Sequence, residues 1–543
     1  MAGKYTGTND RMTWGQIWTL TVSCAAVALV VAAMAALNTA LADLARDTGA
    51  TQAQLTWIVD GYTLALACLL LPSGALGDRY GRRGLLVIGL LLFGLASASP
   101  ILLDSPTQII GARAVAGLGA AFVMPATLSI LTASFPAAQR SKAVGIWSGV
   151  AGSGGIAGLI GSGLLLEKWS WHAIFIGLAG VSAVLFALAF TIPSSRDEHP
   201  STFDIRGAVL SAGAIGLFVL GIIEAPGRGW LDPWVLAAIV GGLAAERSSQ
   251  SSRPAPNTPC STCACSATAR SGVGAVSLLM QFLATFGLFF LIVQHLQLVL
   301  GYSPLQSALA LAPIAVVVIG LSVAAPWLIP RIGLRILTFL GLAVLGVALA
   351  LIGQLDAGST YREVAVPLLI AAVGLGLCTA PATTAIVQNT PVAKQGVASA
   401  VNDATREIGA AIGVALAGSL LAAGYGRNIA PAVDAVPEQA KQPVGDSLAA
   451  ALEVSKLAGP QGEQLADFAK ESFLHGMQEA SLALAGVMFR QRRRSRIVGP
   501  GQTRHRIDRR GTRARALPTS TDQVRPGGPR GDRHGDGVQE FPV

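Results

Sequence analysis

The chain has 543 residues, of which 52% are hydrophobic and 13% charged, and its formal net charge is +9. Soluble domains carry about 25% charged residues, so this composition excludes a protein wetted on every side. Residues 490–543 hold 14 Arg against 5 acidic residues, which accounts for the whole net charge; the neutral remainder gives no ground for nucleic-acid binding.

Long charge-free runs fill the body of the chain, the longest being residues 271–330. A helix that crosses a bilayer needs about 20 mostly apolar residues. Backbone polar groups in lipid must bond internally, so runs of this length mean helices. The expectation is an all-α polytopic membrane protein with fourteen spans, at about 14–37, 53–76, 84–103, 107–131, 143–166, 173–193, 206–223, 231–245, 274–300, 304–329, 336–355, 364–390, 396–423 and 472–489. No small-residue cleavage site closes the first run, so it reads as a retained helix.

Taken in chain order, the second span carries Asp60, followed by 17 residues without charge. Between the second and third spans stands GALGDRYGRRGLL (74–86), which packs four charges and four glycines into a short gap. Glycines allow a tight turn. Asp78 can accept from a helix N-terminus or from an arginine, so such a segment can latch two bundles in one state and release them in another. The plain alternative is a basic loop that only fixes orientation.

The fourth span holds Arg113. The fifth is glycine-rich, GVAGSGGIAGLIGSGLLL (149–166), and small residues also serve plain helix packing. The ninth holds His295, expected to be a hydrogen-bonded polar residue or else a proton carrier. Between the tenth and eleventh spans, Arg331-Ile332-Gly333-Leu334-Arg335 echoes Arg79-Tyr80-Gly81-Arg82-Arg83, as expected of parallel halves related by an axis along the membrane normal. In the thirteenth span Asp403, Arg406 and Glu407 share one helical face. That span is long enough to leave them either at the membrane interface or inside.

Intramembrane ionisable residues are costly and are functional candidates by default. Arg79, Arg82, Arg83, Arg140, Lys142, Arg331, Arg335 and Lys394 all fall on gaps at one side, which would be cytoplasmic. With an even number of spans, both termini lie on that side. The long outer segment, about 424–471, is mixed to acidic and reads as a loop.

Two stretches do not fit. Residues 246–272 are polar, follow a short apolar run and contain Cys260, Cys263 and Cys265, without the spacing of a zinc site. Residues 490–543 contain Arg but no Lys. Both read either as disordered segments or as out-of-frame translation of GC-rich DNA.

GALGDRYGRRGLL resembles the loop 2–3 signature of the major facilitator superfamily, carried by Gly74, Gly77, Asp78, Arg79, Gly81, Arg82 and Arg83. LTWIVDGYTLALA (55–67), GARAVAGLGAA (111–121), the glycine-rich 149–166, GYSPLQSALALAP (301–313) and GVASAVNDATREIGAAIGVALAGS (396–419) resemble the fourteen-helix drug:proton antiporter branch, the QacA/EmrB-like branch. The resemblance covers about 14–245 and 274–485. It implies two six-helix bundles with two central helices: 1–193, then 194–273 with the aberrant polar segment, then 274–489, then the tail 490–543.

The resemblance also implies a latch at the loop 2–3 signature and an antiporter motif formed by Gly149, Gly152, Gly154, Gly155, Gly158 and Gly163. For Arg113 it implies a role in proton transfer, the alternative being a structural bond between helices. As ionisable residues inside the membrane, Asp60, Asp403 and Glu407 are the other expected proton-coupling residues, Asp60 being otherwise a headgroup-level residue near the outer helix end. Ala33 stands where the branch has an Asp, Leu159 where it has Pro, and Ala116 where it has Gln.

The function expected is proton-coupled export of small lipophilic compounds, cations among them, by a monomer in the cell membrane. No cofactor, metal or nucleic acid is expected, and alternating access takes place about a midplane site. The absence of a P-loop argues against ATP-driven transport, and no nucleophile–base constellation argues for an enzyme. A non-transporting sensor or a frame-shifted, damaged product is the alternative.

Overall fold

A computed structural model describes residues 12–103, 105–194, 204–251, 269–388, 390–391, 394–459 and 462–495. The described residues form helices, with no strand among them. In chain order these are α1 (Trp14–Ala36), α2 (Leu41–Thr48), α3 (Gln52–Tyr80), α4 (Arg82–Ala98), α5 (Pro106–Ser134), α6 (Ala137–Leu166), α7 (His172–Ala189), α8 (Ile205–Arg228) and α9 (Pro233–Ser251). There follow α10 (Ala269–Gln294), α11 (Pro304–Ile332), α12 (Leu334–Ile352), α13 (Tyr361–Gln388), α14 (Gln395–Ala435), α15 (Glu438–Asp446), α16 (Leu448–Leu457) and α17 (Gly462–Ser495).

A helix stands at each of the fourteen expected spans. Among the described residues, 12 helices rather than fourteen are long and apolar enough to cross a membrane. The two that fall short are α9, whose apolar run stops at Glu246, and α17, whose turns are broken by charges such as Asp467, Lys470 and Glu479. The outer segment is also not the expected loop. α14 continues to Ala435, and α15 and α16 follow it, because Ala, Glu, Gln and Lys favour helix without making it apolar. Cys260, Cys263 and Cys265, and the tail beyond Ser495, lie outside the described residues.

The apolar residues gather into two main cores. One joins Val27 of α1, Tyr62 of α3, Phe93 of α4, Met124 of α5, Trp147 of α6 and Phe175 of α7. The other joins Leu291 of α10, Ile314 of α11, Leu349 of α12, Leu368 of α13, Leu421 of α14 and Met477 of α17. A third, smaller cluster sets Ile215 and Val219 of α8 against Ala67 of α3, with Ile408 and Ala411 of α14 packed beside it. α8 therefore touches both halves, and Trp230, just after it, donates from Nε1 to Ser419 Oγ of α14 at 2.8 Å.

The echo between the halves is structural. α3 and α11 are both 29 residues long. Each opens with a capping box, Thr51 with Gln54 and Ser303 with Gln306, which satisfies two orphan amide donors. Each ends in a single glycine with positive φ, Gly81 at 111° and Gly333 at 87°, which leads directly into the next helix. A Cβ on Gly89 would meet Gly119 O at 2.8 Å, and one on Gly341 would meet Gly374 O at 2.7 Å. The α4–α5 and α12–α13 crossings are thus the same backbone-on-backbone contact.

Candidate functional site between the two halves

The 74–86 stretch is helical except at Gly81, not the open loop expected from its charges. Asp78 lies in the last turn of α3 and Arg82 in the first turn of α4. Arg82 Nη2 and Nε donate to Asp78 Oδ1 at 2.8 and 3.1 Å, and both side chains are buried. The same carboxylate reaches the other half. The Gly396 N–H donates to Oδ1 at 2.8 Å and the Val397 N–H to Oδ2 at 3.1 Å. Asp78 therefore caps the first turn of α14, a helix end that carries partial positive charge and unsatisfied amides.

This approach needs bare backbone. A Cβ on Gly74 would fall 2.4 Å from Gly396 O, and one on Gly396 would fall 2.6 Å from Asp78 Oδ1. Gly77 gives way to Leu85 across the turn, with Cδ2 at 3.2 Å. Arg83 Nη1 donates to Ile192 O at 3.2 Å beyond the end of α7, and Arg79 lies over the Tyr80 ring at 5.4 Å. Nearby, Gln388 Nε2 of α13 donates to Ser141 Oγ of α6 at 2.9 Å, a second tie between the halves.

The second turn lacks the capping carboxylate. Pro330 stands in α11 where Asp78 stands in α3, each three residues before its glycine. The facing helix α6 starts at Pro136 without a side-chain cap bond, and there Gly145 simply lies against Ser322 O, 2.5 Å from its would-be Cβ.

Deeper in, α14 carries the trio. At 1.5 Å per residue, Asp403 lies about 12 Å and Glu407 about 18 Å along the helix from Gln395, its first residue. Asp403 is 0% and Arg406 3% exposed, and Glu407 is half-buried. Asp403 and Arg406 are thus inside the protein, with Glu407 at the edge of its interior. Asn402 Nδ2 donates to Asp403 Oδ1 at 3.0 Å, and Arg406 Nη1 lies 3.7 Å from the same oxygen.

The Arg406 guanidinium is held between rings from both halves, 4.7 Å from the Phe282 centroid of α10 and 5.6 Å from that of Trp147 on α6. Trp147 Nε1 donates to Thr127 Oγ1 at 3.1 Å. Glu407 is near enough to Tyr62 of α3 for its charge to act on that hydroxyl.

Tyr62 links this group to Arg113, whose guanidinium lies 4.3 Å from the Tyr62 ring. Arg113 Nε donates to Ile58 O at 3.1 Å and Nη2 to Ala33 O at 3.2 Å. It thereby binds α5 to α3 and to α1 at Ala33. Asp60 is half-buried. Its charged neighbour is Glu224 of α8, itself held by Arg228 Nε at 2.7 Å. Sequence reasoning missed Glu224.

His295 is a correction. It is fully buried at the start of a wide π turn, His295–Val299, and neither ring nitrogen has a hydrogen-bond partner.

The glycine-rich motif lies on α6 and serves two neighbours. Gly154, Gly155 and Gly158 face α1, and Gly149, Gly152 and Gly163 face α11. A Cβ on Gly158 would fall 2.3 Å from Ala32 O. Gly158→Val should therefore cost at least the 1–3 kcal/mol typical of overpacking. The expected result is a melting temperature several degrees lower for the purified protein, and an unchanged one would show that the α1–α6 contact yields easily.

The Major Facilitator Superfamily family model matches residues 23–414. The chain belongs to the major facilitator superfamily. This major facilitator is 32% identical over 502 residues to the multidrug efflux pump LfrA of Mycolicibacterium smegmatis, covering 87% of this chain and 96% of that one. It is 32% identical over 418 residues to the multidrug resistance protein Stp of Mycobacterium tuberculosis, covering 75% and 76%. In fold it resembles the human organic anion transporter MFSD10, with a TM-score of 0.58, 14% identity, and coverage of 88% and 98%.

Proposed function

We propose that the chain is a proton-driven antiporter that exports small lipophilic compounds across the cell membrane. The observation that carries this reading is Asp403, a carboxylate with no exposure, in mid-helix at the seam between the two halves. A buried charge that only stabilised the fold would be a poor investment, whereas a proton carrier has to sit where both sides of the membrane can reach it in turn. The multidrug efflux relatives support the same activity.

In this reading the end bearing Arg79, Arg83, Lys142 and Lys394 faces the cytoplasm and both termini lie there. Asp78 on α14 holds that end shut. Asp403 and Glu407 exchange protons beside Arg406, Arg113 acts on Glu407 through Tyr62, and Asp60 with Glu224 forms a second proton-binding point.

Everted vesicles test it. Acidifying their lumen should drive uptake of a lipophilic dye, and dissipating the gradient should stop it. A non-transporting sensor would show neither response. Asp60→Asn should keep part of the dye binding and lose most gradient-driven uptake, and full uptake by that variant would remove Asp60 from the coupling group.

A further inference from the structure

The trio leaves unsatisfied donors at the seam. Arg406 Nε and Nη1 are buried and have no hydrogen-bond partner, since Asp403 Oδ1 at 3.7 Å is beyond bonding range. Gln281 and Thr383, on the neighbouring α10 and α13, also keep buried polar atoms unbonded: Gln281 Oε1, although its Nε2 donates to Thr379 Oγ1, and Thr383 Oγ1. A buried donor left unbonded costs roughly 1–3 kcal/mol, so the two on the Arg406 guanidinium need an account.

The geometry around the guanidinium narrows what can satisfy it. Phe282 and Trp147 sit 4.7 and 5.6 Å from Arg406 Cζ. Rings beside the cation leave its N–H edge, which is buried and has Asp403 Oδ1 at 3.7 Å, as the side on which an acceptor can bond it. A guanidinium edge presents a planar fork of donors that matches a carboxylate or another delocalised oxyanion. The indole and phenyl rings beside it suit a flat aromatic body. Trp147 belongs to one half and Phe282 to the other, so parting the halves removes one wall and exposes the fork.

We infer that Arg406, between Trp147 and Phe282, is a substrate-recognition point that takes flat aromatic compounds through a carboxylate or similarly delocalised oxyanion. This rests on the reading that the seam is the substrate path. Zwitterions qualify as well as simple acids, whereas a compound with only a permanent cation finds no partner at Arg406.

The test uses the purified full chain in lipid nanodiscs and two rhodamine dyes, one with a free carboxyl group and the other its ethyl ester, with binding read by fluorescence anisotropy. The wild type should bind the carboxyl dye at least about tenfold more tightly, the size of one charge-assisted hydrogen bond. Arg406→Gln should bind both dyes equally, and Arg406→Lys should show an intermediate preference. Trp147→Leu, which leaves the fork in place, should weaken both dyes alike and keep the preference. If removing Arg406 disturbs folding, the wild-type preference and the Trp147→Leu result still decide.

Equal binding of the two dyes by the wild type, binding of neither, or a preference that survives Arg406→Gln would overturn the inference. Binding needs no gradient. A protein that discriminates the dyes in nanodiscs but moves neither in vesicles would refute the transport reading and leave the recognition point standing.

Discussion

Asp403→Asn should abolish uphill export while leaving the protein in the membrane. Asp403 is the fully buried member of the α14 trio, bonded to Asn402 and 3.7 Å from Arg406. The amide keeps the shape and can still accept from Asn402, but it neither releases nor takes up a proton. Arg406 then keeps only half-buried Glu407 as an acidic neighbour on its own helix. Breaking a buried pair by removing one partner costs about 3–5 kcal/mol, so the variant should also melt earlier, and transport has to be compared at matched protein amounts. Gradient-driven dye uptake should fall at least about a hundredfold, the effect of some 2.8 kcal/mol. Dye exchange without a gradient should persist, because the path itself remains. If both fall together, Asp403 is a structural residue. If neither falls, Glu407 or Asp60 carries the proton.

The second large effect is expected at Asp78. Its bonds to the Gly396 and Val397 amides are the ones that break when the halves part, whereas its bonds to Arg82 stay within one half. Hydrogen bonds to a charged group contribute about 1.5–3 kcal/mol each, and a carboxylate at a helix N-terminus adds about 0.3–1. Asp78→Asn keeps one acceptor oxygen but loses the charge, and it leaves Arg82 buried without its counter-ion. Transport should fall at least about tenfold with insertion unchanged.

A reporter lies at the same end. Ser141→Cys with Gln388→Cys, placed at the 2.9 Å contact between α6 and α13, should cross-link readily when Asp78 is present and poorly in the Asp78→Asn background. Undiminished cross-linking and transport would mean that the signature only orients the chain.

Sequence patterns made local features legible and long-range ones not. The charge-free runs located the helices because lipid permits little else. Gly81 and Gly333 announced equivalent turns because each sits between two apolar runs in the same company of arginines. The spacing of Asp403, Arg406 and Glu407 placed them on one face, but their depth depended on where α14 begins, and a 41-residue helix gave no mark for that. The pairing of Asp78 with Gly396 joins positions far apart in the chain, and nothing near either residue encodes the other. The same holds for Trp147 against Arg406. Periodicity shows that Trp147 is inside but not what it meets. α15 and α16 were overlooked for the opposite reason, since a hydropathy reading passes over helices that are not apolar.

The position of α8 has a consequence for traffic. Compounds of the kind proposed here dissolve in the bilayer before they meet the protein, so the sides of the molecule matter as much as its two ends. Ile215 and Val219 of α8 pack at Ala67 of α3 with Ile408 and Ala411 of α14 alongside, and Trp230 is bonded to Ser419 further along α14. α8 thus packs over the line where α3 and α14 meet. Lipid-dissolved cargo arriving from that flank should therefore find it closed. Where α6 meets α11 the halves instead touch directly, with Gly145 and Gly149 against Ser322.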